Sequence, residues 1–230
     1  MAEQVLAVSN WEIARRFVAP DDPPPGSHKA KTHFNTKLTA LTGLMIFVLL
    51  AAEGVTIPFI GKLVALHVFI GWVLLPPILL KIVSTSYRFV MYYTGNPRYV
   101  KAGPPKPLLR ILGPLVIVST TLLLWSGIEL VLVGPHGPNA LLWGAIHRAT
   151  FVFWFGFMTI HVLAYFLKAS SLALPELNRK PGAHSIRIPG RTLRIALVAA
   201  SLVVGIIIGI VEWHMSVPWS TLLSHHLKLR

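Results

Sequence analysis

Apolar residues fall into five long runs, at roughly 38–60, 63–90, 111–133, 144–167 and 192–213. Residues 149–167 are 19 consecutive residues without a charge, and Leu63–Leu80 is a second uncharged run. A helix rises about 1.5 Å per residue, so about 20 apolar residues cross the hydrocarbon core of a bilayer. The pattern predicts an all-α membrane protein with five transmembrane helices over 33–230, four of them forming a bundle. There is no internal repeat and no second soluble domain. Residues 1–32 read as a cytoplasmic segment and linker. Val5, Leu6, Trp11, Ile13, Phe17 and Val18 give a weakly amphipathic helix with Arg15 and Arg16, suited to a membrane surface or a partner, or else a frayed tail. The Asp-Asp-Pro-Pro-Pro-Gly stretch at 21–26 stops any helix. Residues 1–19 do not have the form of a secretory leader: Glu3 stands where positive charge is expected, and no apolar core of the right length follows.

Composition fits this setting. Of 230 residues, 54% are hydrophobic and 13% charged, with mean hydropathy +0.65; a soluble domain is about 25% charged. The net charge of +13 points to nucleic acid only where basic residues form a soluble patch. Here they lie between apolar runs, so they report topology instead. Seventeen of the 21 lysines and arginines precede the first run or lie at 81–110 and 168–194; only Lys62, Arg148, Lys228 and Arg230 fall on the other side. By the positive-inside rule the N-terminus is cytoplasmic and the C-terminus outside, as for a protein of the bacterial cytoplasmic membrane. Cysteine is absent. That excludes disulfides, thiolate-held clusters and covalent heme attachment at Cys-x-x-Cys-His.

Histidines carry the candidate chemistry. His147 and His161 both lie on the fourth run, 14 residues apart. At about 100° per residue, 14 steps fall about 40° short of four full turns, so both rings share a face, about 21 Å apart along the axis. An imidazole inside a membrane needs a partner. Two on one face, near opposite sides of a bilayer, suit a helix that holds two stacked hemes; the alternative is two histidines hydrogen-bonded to neighbouring helices. The second and fourth runs both pass from outside to inside. His67, about five residues into one, is level with His147, about four into the other. The two can ligate one iron from opposite faces. Opposite His161 the residue is Lys81, which reads either as a lysine snorkelling to the interface or as an amine ligand. Pro76 and Pro77 lie between His67 and Lys81 and weaken this count. His28 and His33 are on the inner side but precede the first run. With no cysteine, any heme is heme b, held by side chains alone.

Ligands on the second and fourth helices at 14-residue spacing resemble the four-helix heme bundle of cytochrome b from the cytochrome bc complexes, and the cytochrome b subunits of formate dehydrogenases and hydrogenases. In that family glycines on the first and third helices let the porphyrins pack closely. Gly113 and Gly127, 14 apart, and Gly43 and Gly54, 11 apart, stand on the corresponding runs. The resemblance covers about residues 33–167. It departs in offering three level histidines rather than four, in having a fifth run, and in lacking the Pro-Glu-Trp-Tyr quinol-site signature. It implies a diheme electron-transfer subunit of a respiratory or photosynthetic membrane complex, working beside other subunits, with quinone as a candidate further cofactor.

Among the carboxylates, Glu53, Glu129 and Glu212 fall towards the outer ends of the first, third and fifth runs. Glu53 and Glu129 are candidates for taking a proton from a quinol; an interfacial carboxylate facing water is the plain reading. Arg148 is placed to neutralise a heme propionate, and Arg88, Arg98 and Arg110 either do so at the inner side or only set topology. No flavin, nucleotide or molybdenum motif is present, so substrate chemistry belongs to a partner. The competing class is a non-redox membrane anchor or small transporter subunit whose histidines bind metal or protons.

Overall fold

The computed structural model describes residues 28–100, 107–177 and 190–228. The amphipathic segment and Pro-rich linker before His28 lie outside the described residues. The described chain is helical, without strands: α1 (His28–Thr56), α2 (Ile60–Tyr93), α3 (Pro107–Val133), α4 (Ala140–Leu177), α5 (Arg191–Val211) and α6 (Val217–Lys228). Short turns at Ile57–Phe59, Pro97–Val100 and Glu212–Ser216 join or follow them. Four continuous helical stretches have the length and apolar composition to cross a membrane: Phe34–Tyr93, Leu109–Val133, Ala140–Leu177 and Arg191–Leu223. Their outward faces carry Val152, Leu163 and Leu167 at 67%, 79% and 80% exposure. That much bare apolar side chain is stable against lipid and costly against water. It gives the chain the character of an integral membrane protein.

The Phe34–Tyr93 stretch is a hairpin. Pro58 pre-sets the first turn after α1, and the backbone departs from helical angles again at Leu63 (φ −111°, ψ 15°). The chain then runs back along α1, so that Asn35 Nδ2 donates to the Ser84 carbonyl at 2.9 Å. Ile46, Ile70, Leu74 and Ile78 close the core between the two helices. α3 and α4 form a second hairpin, joined through Gly134 in a left-handed conformation (φ 71°) that ends α3. α5 covers the other side of α2. There Gly205 and Gly209, four residues apart and so on one face, let the backbones meet: a Cβ on Gly205 would lie 2.4 Å from the Val73 carbonyl oxygen. α1 meets α4 through Ala40, Leu41 and Ala173. By contrast α2 touches α3 at few residues and α4 hardly at all. The two hairpins therefore stand apart along one side.

Two features go beyond the apolar pattern. α4 runs ten residues past the end of its apolar run at 167, to Leu177. Its extension carries Glu176, which is 1% exposed and accepts from Arg194 of α5 at 3.1 Å (Nε) and 2.6 Å (Nη2), with Lys37 of α1 at 3.3 Å. Arg191 Nε also donates to the Glu176 carbonyl at 2.8 Å, and the Arg194 guanidinium lies 5.3 Å from the Phe34 ring centre. A buried carboxylate is tolerated only when paired in this way, and the pairing joins α1, α4 and α5 at one end. The second feature is α6, too short for a span. Trp219 donates from its indole to the Leu130 carbonyl at 3.2 Å, tying α6 to the end of α3.

Candidate functional site

The hairpin registers arrange the four helices α1–α4 in two levels. On the first level Glu53 of α1 meets His67 of α2, with Oε1 3.1 Å from Nδ1. On α3 and α4, a Cβ on Gly127 would lie 3.2 Å from His147 Cε1, so the glycine makes the space that the ring occupies. Fourteen residues back along α1 and fourteen on along α2, the register is unchanged: Lys81 Nζ donates to the Thr39 carbonyl at 2.5 Å. Pro76 and Pro77 lie within α2 yet do not slip the pairing. Between the levels Trp154, seven residues from each histidine of α4, donates to Thr120 Oγ1 at 3.0 Å; Thr120 in turn is seven residues from Gly127 and from Gly113. A seven-residue step is nearly two turns, so the Gly127–His147 and Thr120–Trp154 pairings follow one another along α3 and α4.

His67 and His147 face one another across the gap between α2 and α4. Their ring centres are 6.4 Å apart and their planes 89° to each other. Each Nδ1 meets a side-chain hydroxyl. The Thr56 hydroxyl donates its single proton to the Glu53 carbonyl at 2.6 Å, so its oxygen can only accept from His67 Nδ1–H, at 2.8 Å. Ser126 gives its proton to the Leu123 carbonyl at 3.0 Å and stands 3.1 Å from His147 Nδ1, on the same terms. Both rings are thereby fixed as the tautomer with hydrogen on Nδ1, leaving both Nε2 lone pairs bare. Among the described residues neither Nε2 makes a hydrogen bond.

Among the described residues no group of three or more His, Cys, Asp or Glu side chains could hold a metal. Zinc takes three or four protein ligands and is poorly served by two. An iron porphyrin brings four nitrogens of its own and needs only two axial ligands. Two metal–imidazole bonds of about 2 Å, with about 1 Å from each nitrogen to its ring centre, place the centres about 6 Å apart. The 6.4 Å separation matches. On this ground the first level fits heme.

The second level is assembled less fully. His161 packs on Tyr165, ring centres 4.9 Å apart. Gly43 makes room for Lys81: a Cβ there would lie 2.7 Å from Nζ. An amine that ligates a metal keeps two N–H groups, so the bond to Thr39 and ligation are compatible. Gly113 has nothing within 4 Å of a Cβ position, and neither has Gly54.

The remaining candidates are dispersed. Arg148 is exposed, its Nη1 3.4 Å from a Cβ on Gly144; Arg88 is exposed and Arg110 is the fourth residue of α3. The side chains of His28, His33 and Arg98 lie outside the described residues. Glu129 borders a groove of about 340 Å³ between α2 and α3, beside Leu75, Ile78, Leu79 and Trp125. Glu212 opens the turn after α5. Sequence reasoning missed Thr56, Ser126, Thr120 and Trp154. The signal available was the seven-residue series Gly113, Thr120, Gly127 running against His147, Trp154, His161. Comparison with protein-family models, with curated proteins and with solved structures finds no match.

Proposed function

We propose that the protein is a membrane b-type cytochrome, the electron-carrying subunit of a membrane redox complex, with heme b held between His67 and His147. The observation that carries this reading is the pair of bare Nε2 atoms on two helices that hardly touch, their ring centres 6.4 Å apart and both tautomers set by hydroxyls. When bound, heme supplies one-electron redox chemistry. The chain supplies the rest. His67 and His147 ligate, Thr56 and Ser126 hold the rings, and Gly127 leaves the space His147 needs. Arg148, one residue from His147, offers a cation to the propionates, and the apolar faces of α2 and α3 exclude water.

His161 and Lys81 are the ligands proposed for a second heme, about 21 Å along α4. Gly113, seven residues beyond Thr120, leaves that level open. Two hemes would reach across the bilayer where one reaches part way. The hairpin Phe34–Tyr93 is counted here as two crossings, giving five spans with the N-terminus inside, on the charge distribution. The test is heme content of the full chain purified from heme-replete cells, with His67→Ala and His147→Ala. Loss of one and the same heme signal in both variants is expected. A colourless wild-type protein would refute the reading and favour a membrane anchor or transporter subunit instead. A cysteine placed after Leu229 is expected to label from outside the cell.

A further inference from the structure

The two proposed ligands are not held alike. His147 donates to a neutral acceptor, Ser126. His67 donates to Thr56 and also faces a carboxylate, Glu53 Oε1, at 3.1 Å. Glu53 stands on α1, a helix that brings no ligand. Its other oxygen, Oε2, is buried and has no hydrogen-bond partner among the described residues. Burying a carboxylate is costly. Among the described residues the carboxyl group's one polar side-chain contact is the imidazole. On α2, Gly71 stands one turn from His67, and a Cβ there would already touch Oε1 at 3.9 Å, so a longer side chain would enter the space the carboxylate uses.

We infer that Glu53 is a positioning residue for the first-level iron: it holds His67 through Nδ1 and makes His67 the stronger of two unequal axial ligands. The inference rests on the heme reading above. In its ionised form Glu53 draws the Nδ1 proton more strongly than a hydroxyl does and leaves more electron density at Nε2. A more basic axial ligand favours the ferric state, so Glu53 holds the potential of this heme down.

The test uses the full-length, heme-loaded protein in detergent and reads the heme signal that His67→Ala removes. In Glu53→Gln the amide oxygen still reaches Nδ1 but accepts more weakly. At a fixed ambient potential the ferrous-to-ferric ratio is expected to rise at least tenfold, which is about 59 mV for one electron. Glu53→Asp keeps the charge and loses the reach, so it should shift the ratio in the same direction. Ser126→Ala should shift it less than either. A wild-type ratio in Glu53→Gln would overturn the inference. So would a shift in Glu53→Gln with none in Glu53→Asp, since the charge alone would then be acting. Loss of heme from both Glu53 variants with helical circular dichroism intact supports the role; loss together with the helical signal overturns it, making Glu53 part of the fold. If the wild type binds no heme, the heme reading fails first. If it binds heme that needs His67 and His147 while both Glu53 variants keep the wild-type ratio, this inference alone fails.

Discussion

Replacing Thr56 by Val and Ser126 by Ala removes the two hydroxyl acceptors without changing side-chain shape much. The expected effect can be worked from the bonds present. Thr56→Val leaves His67 Nδ1–H with Glu53 Oε1 at 3.1 Å, so the ring loses one of two acceptors. Ser126→Ala removes the 3.1 Å side-chain acceptor of His147. A net hydrogen bond contributes about 1 kcal/mol, and 1.4 kcal/mol is tenfold in an equilibrium constant, so each variant should weaken heme binding about fivefold. Thr56 and Ser126 lie on opposite sides of the site and share no partner, so their effects should add to about 2 kcal/mol, roughly thirtyfold, in the double variant. The assay is titration of heme-free protein in detergent with hemin, followed in the Soret band. His67→Ala and His147→Ala set the lower limit. Wild-type affinity in the double variant would refute the argument that these hydroxyls fix the ligating tautomer.

Heme per polypeptide in His161→Ala and Lys81→Ala decides the second level: loss of one of two hemes in each is expected, an unchanged second heme in Lys81→Ala would discard the lysine, and one heme per chain that His161→Ala leaves intact would discard the level. Glu176→Leu should destabilise the protein by about 3–5 kcal/mol, because Lys37 and Arg194 keep their buried positions without this carboxylate; thermal unfolding in detergent measures it, and the double variant with Arg194→Leu should be the milder. Gly205→Leu should cost about 1–3 kcal/mol in the same assay, since even a Cβ lies 2.4 Å from the Val73 carbonyl oxygen and α5 must move off α2.

The apolar runs by themselves determined the helices, because a residue in lipid is selected for one property that a single position reports. α2, α3 and α5 begin and end within a few residues of their runs. The level positions of His67 and His147 followed from counting along helices of known rise. The sequence also set Lys81 level with His161, across two prolines that weaken the count. The structure places Lys81 against Thr39 of α1, in the register that Glu53 and His67 set.

Only the tertiary structure decided the rest, since each remaining feature depends on what a second helix brings. Glu53 reads as an interfacial carboxylate until the turn at Ile57–Phe59 folds it onto His67. Thr56 and Ser126 are ordinary helical hydroxyls until their protons are found committed to backbone carbonyls three residues back and their oxygens to the histidines. Glu176 lies outside every apolar run; its burial exists only because Arg194 and Lys37 arrive from two other helices. Periodicity reports which face of a helix is apolar. It does not report the distance between faces, and the 6.4 Å between the His67 and His147 rings is such a distance.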